Sequence, residues 1–281
     1  MGLRVNTNIY SLNAQRNLSS VTNRLSGNFS RLSSGLQIAT AADDAAGLGI
    51  SERFRAQVRS LNQAGRNAQD GISLSQTAEA ALGESASNLI RLRELAVQAS
   101  NGTLNSGDRT ALDNEFQALI EEIDRVSGDA NFNNISLFDG TTASLELQIG
   151  VDSGQVLTVS LTTATASSLS LTAASQGTGG SFDITTAANA SSAISTIDNA
   201  IDSINSARSD FGAVQNRLQS TIRNLATNAE NLSAAESRIR DVDVAAETAD
   251  LTRNSILQQA SLSVLSQANV QPQLALSLIG G

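Results

Sequence analysis

The chain of 281 residues carries 18 basic residues, all of them Arg, against 27 acids, for a net charge of −9, with no Lys, His, Cys or Trp. This composition excludes Schiff-base and P-loop lysines, Ser/His and Cys/His nucleophile pairs, most metal sites and disulfides, and it offers no clustered basic charge for nucleic acid or an anionic membrane. Aromatics make up only 3%, too few for a thick globular core, and no apolar run reaches the ~20 residues of a membrane span. The first segment predicts an amphipathic helix, with Leu18, Val21, Leu25, Phe29, Leu32 and Leu36 at spacings of three and four and Val5, Ile9 and Leu12 in a shifted phase. It should end near Ser33-Ser34-Gly35.

Ala39 to Gly49 reads as a small-residue bend in which Asp43 and Asp44 are placed to cap a long helix. That helix carries Phe54, Leu61, Ala68, Ser75, Leu82, Leu89 and Ala96 at intervals of seven, and should close at Asn101-Gly102 through a left-handed residue. A third helix, from about Asp108, has Leu112, Phe116, Leu119, Ile123 and Val126 on one face and doubles back along the second. The period then changes. Leu145, Leu147 and Ile149, and then Leu157, Val159 and Leu161, alternate with polar residues around Gly150 to Gly154, the pattern of a β-hairpin.

Thr162 to Gly180 is almost all Ser, Thr, Ala and Gly, a loop or very small outer subdomain. Asp129 to Ala187 contains five acids and no Arg and should face solvent; Phe182 and Ile184 suggest one more short strand. A further helix starts near Thr186, with Ala190, Ile197, Ile204, Phe211, Leu218, Leu225, Leu232 and Ile239 as an unbroken apolar column. A second column of small and apolar residues, among them Ala200, Ala207 and Val214, flanks it. After a break at Asp241-Val242-Asp243 a last helix runs to about Ala268, followed by Pro272 and an apolar tail containing Leu274, Leu276 and Leu278.

Two long seams far apart in sequence predict a mainly α fold: a long antiparallel, coiled-coil-like helix bundle formed by both chain ends, with a small β-hairpin region in the middle. The terminal helices have no neighbour in sequence to cover them and can cover one another only partly. Lateral packing between copies would bury the remainder, and a non-closing contact of that kind builds a filament. The alternative on periodicity alone is a coiled-coil stalk or a dimer. Enzymatic readings are poor: Gly47-x-Gly49 and Gly177 to Gly180 follow no predicted strand, while Asp43-Asp44 and Glu121-Glu122 are neighbours that point apart on a helix. No cofactor or metal is expected.

Specific text now adds to the pattern. Asn6 to Gln15, Leu32 to Leu36, Ala41 to Ile50, Arg93 to Gln98, Ile123 to Ser127, Asn131 to Asn133, Arg208 to Arg217 and Gln271 to Leu274 together resemble the bacterial flagellins, leaving only about 140 to 187 without likeness. The resemblance implies an inner-core helical domain from 1–43 and 241–281, a long-helix domain with its hairpin from 44–161 and 185–240, and a short outer loop at 162–184 in place of a globular insert. The implied filament is thin and smooth.

The resemblance also implies partners. The first is the chain itself, in a helical homopolymer held by Leu18, Val21, Leu25, Leu32, Leu257, Leu262, Leu265, Leu274, Leu276 and Leu278. A cytoplasmic export chaperone on roughly Leu251 to Ile279, the flagellar type III export apparatus, the filament cap and the hook-associated proteins follow. The N-terminus lacks a cleavable secretory signal, which by general pathways suggests the cytoplasm, but the implied route ends in the extracellular filament. The host Toll-like receptor for flagellin would read Arg91, Leu95 and Glu115. The nearest rival is the hook-filament junction protein, with similar ends and only a short ring; a metallopeptidase insert is unsupported without His.

Overall fold

The computed structural model describes residues 7–172 and 182–279, with the backbone alone for 271–279. Its helices are α1 (Ile9–Ser34), α2 (Ala45–Ala99), α3 (Ser106–Asp129), α4 (Ala187–Arg240) and α5 (Val244–Ile279). Two antiparallel hairpins lie between α3 and α4: β1 (Asn131–Phe132) with β2 (Ile135–Ser136), and β3 (Ser144–Gln148) with β4 (Val156–Ser160). The chain divides into two compact units, Met1–Val58 with Glu230–Gly281, and Arg59–Ala229.

In the unit 59–229 the heptad column of α2 is buried from Leu61 to Ala96, and a second column, Ala64, Gly71, Ala78, Ser85, Leu92 and Ala99, is buried beside it. On α4, Ala190 to Leu225 of the predicted column are buried together with Ala193, Ala200 and Ala207. The helices run antiparallel, since Arg93 meets Asp198 at 2.6 Å and Glu79 meets Arg208 at 3.9 Å. The small second column lets the helices approach closely: a Cβ on Gly71 would meet Leu147 and, at 3.1 Å, Leu218. Ser75 and Ser85 stay in the seam because their hydroxyls donate to the carbonyls of Gly71 and Ala81.

Helix α3 begins with a capping box between Asn105 and Asp108 and buries Phe116, Ile120 and Ile123 against this core. The expected left-handed closure of α2 at Gly102 is absent. Gly102 has no positive φ, and the guanidinium of Arg109 instead donates to the carbonyls of Ala99 and Asn101 at 2.8 and 2.9 Å.

Both predicted strands of the main hairpin pair in register, Leu145 with Val159 and Leu147 with Leu157. The shorter hairpin was not anticipated; Asn133 and Asn134 both take positive φ and join its strands.

Two expectations for the middle of the chain are corrected. The stretch Asp129–Ala187 does not face solvent throughout, because Leu161, Ala164, Ala166, Leu169, Leu171, Phe182 and Ile184 are buried in the core. Nor do Phe182 and Ile184 lie in a strand. The cause is side chains of α3, which satisfy the irregular backbone: Ala166 N–H donates to Asp124 at 2.6 Å, Ile184 N–H to Asp113 at 3.0 Å, and Gln117 donates to the Phe182 carbonyl at 2.7 Å. The Gly177–Gly180 run and the rest of 173–181 lie outside the described residues.

In the other unit, α1 closes with Gly35 at φ 72°, its N–H on the Arg31 carbonyl. Asp44 caps α2 through Ala46 N–H, whereas Asp43 reaches back and accepts from Ala39 and Thr40. A short backbone bridge pairs Leu36 with Asp241, flanked by Gln37 N–H to Arg240 O at 2.7 Å and Val242 N–H to Gly35 O at 3.0 Å. Asp243 caps α5. That helix does not stop at Ala268 but continues through Pro272 to Ile279. Pro272 has no N–H for the Ala268 carbonyl four residues earlier, and Asn8 Nδ2 supplies a donor there at 2.7 Å.

Candidate assembly and recognition surfaces

Helices α1 and α5 pair antiparallel, with Asn8 on Ala268 and Ser11 on Asn269 at one end and Asn28 on Glu247 at the other. Their shared face follows heptad spacing. On α1, Ala14, Val21 and Asn28 are buried, with Leu18, Leu25 and Leu32 half-buried between them. On α5, Glu247, Asn254 and Ala268 are buried, with Leu251 and Leu265 half-buried.

The middle of this face is polar. Asn28 Nδ2 donates to Glu247 Oε1 at 2.5 Å, and Asn254 Nδ2 donates to Asn28 Oδ1 at 2.7 Å. A connected polar group in an apolar seam favours one register over its neighbours, because a slip by one turn would strand each member without a partner. Sequence reading passed over these residues, although the signal was there: Asn28 sits seven after Val21, at a position the pattern reserves for an apolar side chain.

Of the residues predicted to carry assembly, Leu18, Val21, Leu25, Leu32 and Leu265 fall on the intramolecular stripe. Leu257 and Leu262 do not. They are 40% and 51% exposed, together with Ile256 and Val264 on α5 and Ile9, Tyr10, Leu12 and Phe29 on α1. The side chains of Leu274, Leu276 and Leu278, and Val5 at the other end, lie outside those described. Each terminal helix thus covers one stripe of its partner and leaves large apolar side chains in water.

The second predicted group is brought together by the α2–α3 pair. Arg91 Nη2 lies 2.8 Å from Glu115 Oε1 and Nη1 lies 2.9 Å from Glu94 Oε2, all three roughly half exposed. Hydrogen bonds to Glu94 and Glu115 raise the pKa of Arg91 above its usual value. Leu95, one turn further along α2, is only 1% exposed and belongs to the core. The surface therefore presents Arg91 and Glu115, while Leu95 packs in the hydrophobic core.

Among the described residues no group of three or more His, Cys, Asp or Glu is arranged to hold a metal, and no helix is long and apolar enough to cross a membrane.

Comparison with known proteins bears on the same elements. The family profile of the bacterial flagellin N-terminal helical region matches residues 5–143, and that of the C-terminal helical region matches residues 194–279. The chain belongs to the bacterial flagellin family. It is 49% identical to a flagellin of Halalkalibacterium halodurans over 98% of this chain and 99% of that one. It is 39% identical to the flagellar filament 30.7 kDa core protein of Treponema maltophilum, over 98% of this chain and 99% of the relative. The crystal structure of Bacillus cereus flagellin superposes with a TM-score of 0.50 at 38% identity, covering 61% of this chain and 94% of that one. The two profiles span all of α1 to α3 and most of α4 with α5, so the family likeness rests on the same helices that form the paired seams. As a flagellin the chain is a structural subunit of the bacterial flagellar filament.

Proposed function

We propose that this flagellin polymerises through its terminal helices, with residues 1–43 and 241–281 lining the filament core and the short 162–184 segment leaving the outer surface smooth. The observation that carries this reading is the uncovered apolar face of α1 and α5, with Ile256, Leu257, Leu262 and Val264 exposed on α5 beyond the stripe that α1 covers. Such a surface on a paired helix is a demand for further partners, and repetition of one non-closing contact gives a filament.

Before assembly the same surface needs a temporary cover. An export chaperone holding Leu251 to Ile279 would supply it, the flagellar type III apparatus would pass the unfolded chain outward, and the cap and hook-associated proteins would meet it at the filament ends. The lack of Cys suits such a passage, since no cross-link can form on the way.

The exposed Arg91–Glu115 pair supports a second role, as the contact for the animal Toll-like receptor that senses flagellin monomers. Leu95, packed in the core, would not touch the receptor directly.

The test is electron microscopy of purified monomer added to short filament seeds. The full chain should grow long filaments, while a truncation ending at Leu251 and the variant Leu262→Asp with Val264→Asp should not. The double variant spares the buried α1–α5 stripe, so its circular dichroism should match the parent. Rings alone would favour the hook-filament junction protein, and a discrete dimer would favour a stalk.

A further inference from the structure

The turn between α2 and α3 contains Asn101-Gly102, the single Asn-Gly step in the sequence. We propose that this step is a self-modifying site, at which Asn101 deamidates through a cyclic imide with water as the only co-reactant.

Four features of the turn favour that chemistry. Asn101, Gly102 and Thr103 are all exposed, so water and hydroxide reach the site. Asn101 Oδ1 accepts the Thr103 N–H at 3.3 Å, an Asx turn that folds the side-chain amide back over Gly102 and polarises its carbonyl carbon. The Gly102 N–H donates to no acceptor among the described residues, so no hydrogen bond retains its proton. The turn is also held still: Asn101 N–H donates to Gln98 O at 3.2 Å, and Arg109 grips the Asn101 carbonyl at 2.9 Å. An ordered turn with the two reacting groups adjacent lowers the entropic part of the barrier.

The step balances with what is present. Hydroxide removes the Gly102 amide proton, and the nitrogen attacks Cγ of Asn101. The Cγ–Nδ2 bond breaks and ammonia leaves with a proton taken from water. Water then opens the imide at either carbonyl, giving aspartate or isoaspartate. No oxidant, metal or enzyme enters.

A second turn provides an internal control. Asp139-Gly140 makes the same side-chain hydrogen bond to the residue two on, with Asp139 Oδ1 accepting from Thr141 N–H at 2.9 Å and from its hydroxyl at 2.7 Å, though Gly140 takes a positive φ that Gly102 does not. Those hydrogen bonds hold the Asp139 carboxyl below its ordinary range. A carboxylate is a poor electrophile, so Asp139 should persist where Asn101 reacts. Helical asparagines are protected differently, because the following N–H is committed to the helix ladder.

The product matters locally. Aspartate places a negative charge beside the C-terminal end of α2, where the helix dipole opposes it. Isoaspartate adds a methylene to the main chain and moves the carbonyl that Arg109 holds.

The experiment is incubation of the full-length protein at neutral and mildly alkaline pH, with site-resolved mass spectrometry and enzymatic isoaspartate labelling over time. Asn101 should convert before every other asparagine, faster at higher pH, with Asp139 unchanged. Gly102→Ala should lose most of the conversion without loss of helix, because a Cβ there meets nothing within 4 Å and the φ is one that alanine accepts. The proposal is overturned if Asn101 stays an amide while other asparagines react, if a free peptide of residues 98–105 converts faster than the folded chain, or if Gly102→Ala reacts at the parent rate.

Discussion

Asn8 donates its side-chain amide to the Ala268 carbonyl at 2.7 Å while its Oδ1 accepts the Ser11 N–H at 3.0 Å, so one residue caps α1 and also serves the carbonyl that Pro272 leaves without a partner. Asn8→Ala removes both bonds and should cost about 1–3 kcal/mol of α1–α5 pairing. Asn8→Ser should recover the cap alone. Hydrogen exchange of the α1 amides reads the difference, and equal protection in all three proteins would refute the double role.

The polar group at Asn28, Glu247 and Asn254 should behave as a unit. Asn28→Leu leaves a buried carboxylate without its donor and is expected to cost roughly 2–4 kcal/mol, whereas Asn28→Leu with Glu247→Leu and Asn254→Leu should cost clearly less than the separate losses combined. The triple variant tests register as well. Cysteine pairs placed across α1 and α5 should cross-link in a single offset in the parent and in more than one in the variant.

Arg91 and Leu95 separate recognition from stability. Arg91→Ala breaks two exposed ion pairs worth at most about 1 kcal/mol, so its melting temperature should stay near the parent's while activation of receptor-bearing reporter cells falls. Leu95→Ala empties a core position and should cost about 2–5 kcal/mol. If Arg91→Ala left reporter activation intact, the Arg91–Glu115 surface would be no more than a structural contact.

Glycines on α2 are not equivalent. Gly71→Ala would press its new methyl against Leu147 and Leu218, and the overlap should outweigh the gain in helix propensity, for a net loss of about 1–2 kcal/mol. Gly83 has nothing within 4 Å of such a methyl, so Gly83→Ala should stabilise by about 0.5–1 kcal/mol. Urea unfolding of the two variants should move their midpoints in opposite directions.

Acid should weaken the fold, and the sign follows from its carboxylates. Burial works to raise the Asp183 pKa, but hydrogen bonds from Thr185 and Asn189 outweigh it, and hydrogen bonds from Thr40 and Thr141 likewise depress Asp43 and Asp139. Depressed folded values mean that the unfolded chain binds more protons, so this stability is fully present above the unfolded carboxylate range near 3.9 and is lost as pH falls through the folded values. With no His in the chain, the urea midpoint should be flat from about pH 5.5 to 8 and drop below about pH 4. A midpoint that rose on acidification would contradict the assignment.

The long seams and the main hairpin were legible because their periods repeat for many residues. Even so, only one column of α2 was read. Its companion, from Ala64 to Ala99, consists largely of Ala, Gly and Ser, which carry little hydropathy signal but set how closely the helices approach. The burial at 161–171 and 182–184 was missed for the opposite reason. It depends on Asp113, Gln117 and Asp124 reaching across from α3, and no local pattern announces a distant carboxylate. The β1–β2 hairpin did have a local sign in the Asn133-Asn134 pair, whose tolerance of positive φ marks a two-residue turn. At the candidate sites, Arg91, Leu95 and Glu115 were all named from family likeness, and only the packing separates the exposed Arg91 and Glu115 from the buried Leu95. Leu257 and Leu262 were named for assembly and both are exposed, whereas the stripe that pairs α5 with α1 runs through Glu247 and Asn254.

The bridge between Leu36 and Asp241 has a consequence for synthesis. Every backbone bond that secures Gln37 and Ile38 ends on Arg240, so a ribosome must add some two hundred more residues before these two can meet their acceptor. Loop closure over that span is slow compared with local helix formation. Through most of translation the short stretch after α1 therefore lacks its backbone partner, and it is secured only once Arg240 to Val242 have emerged.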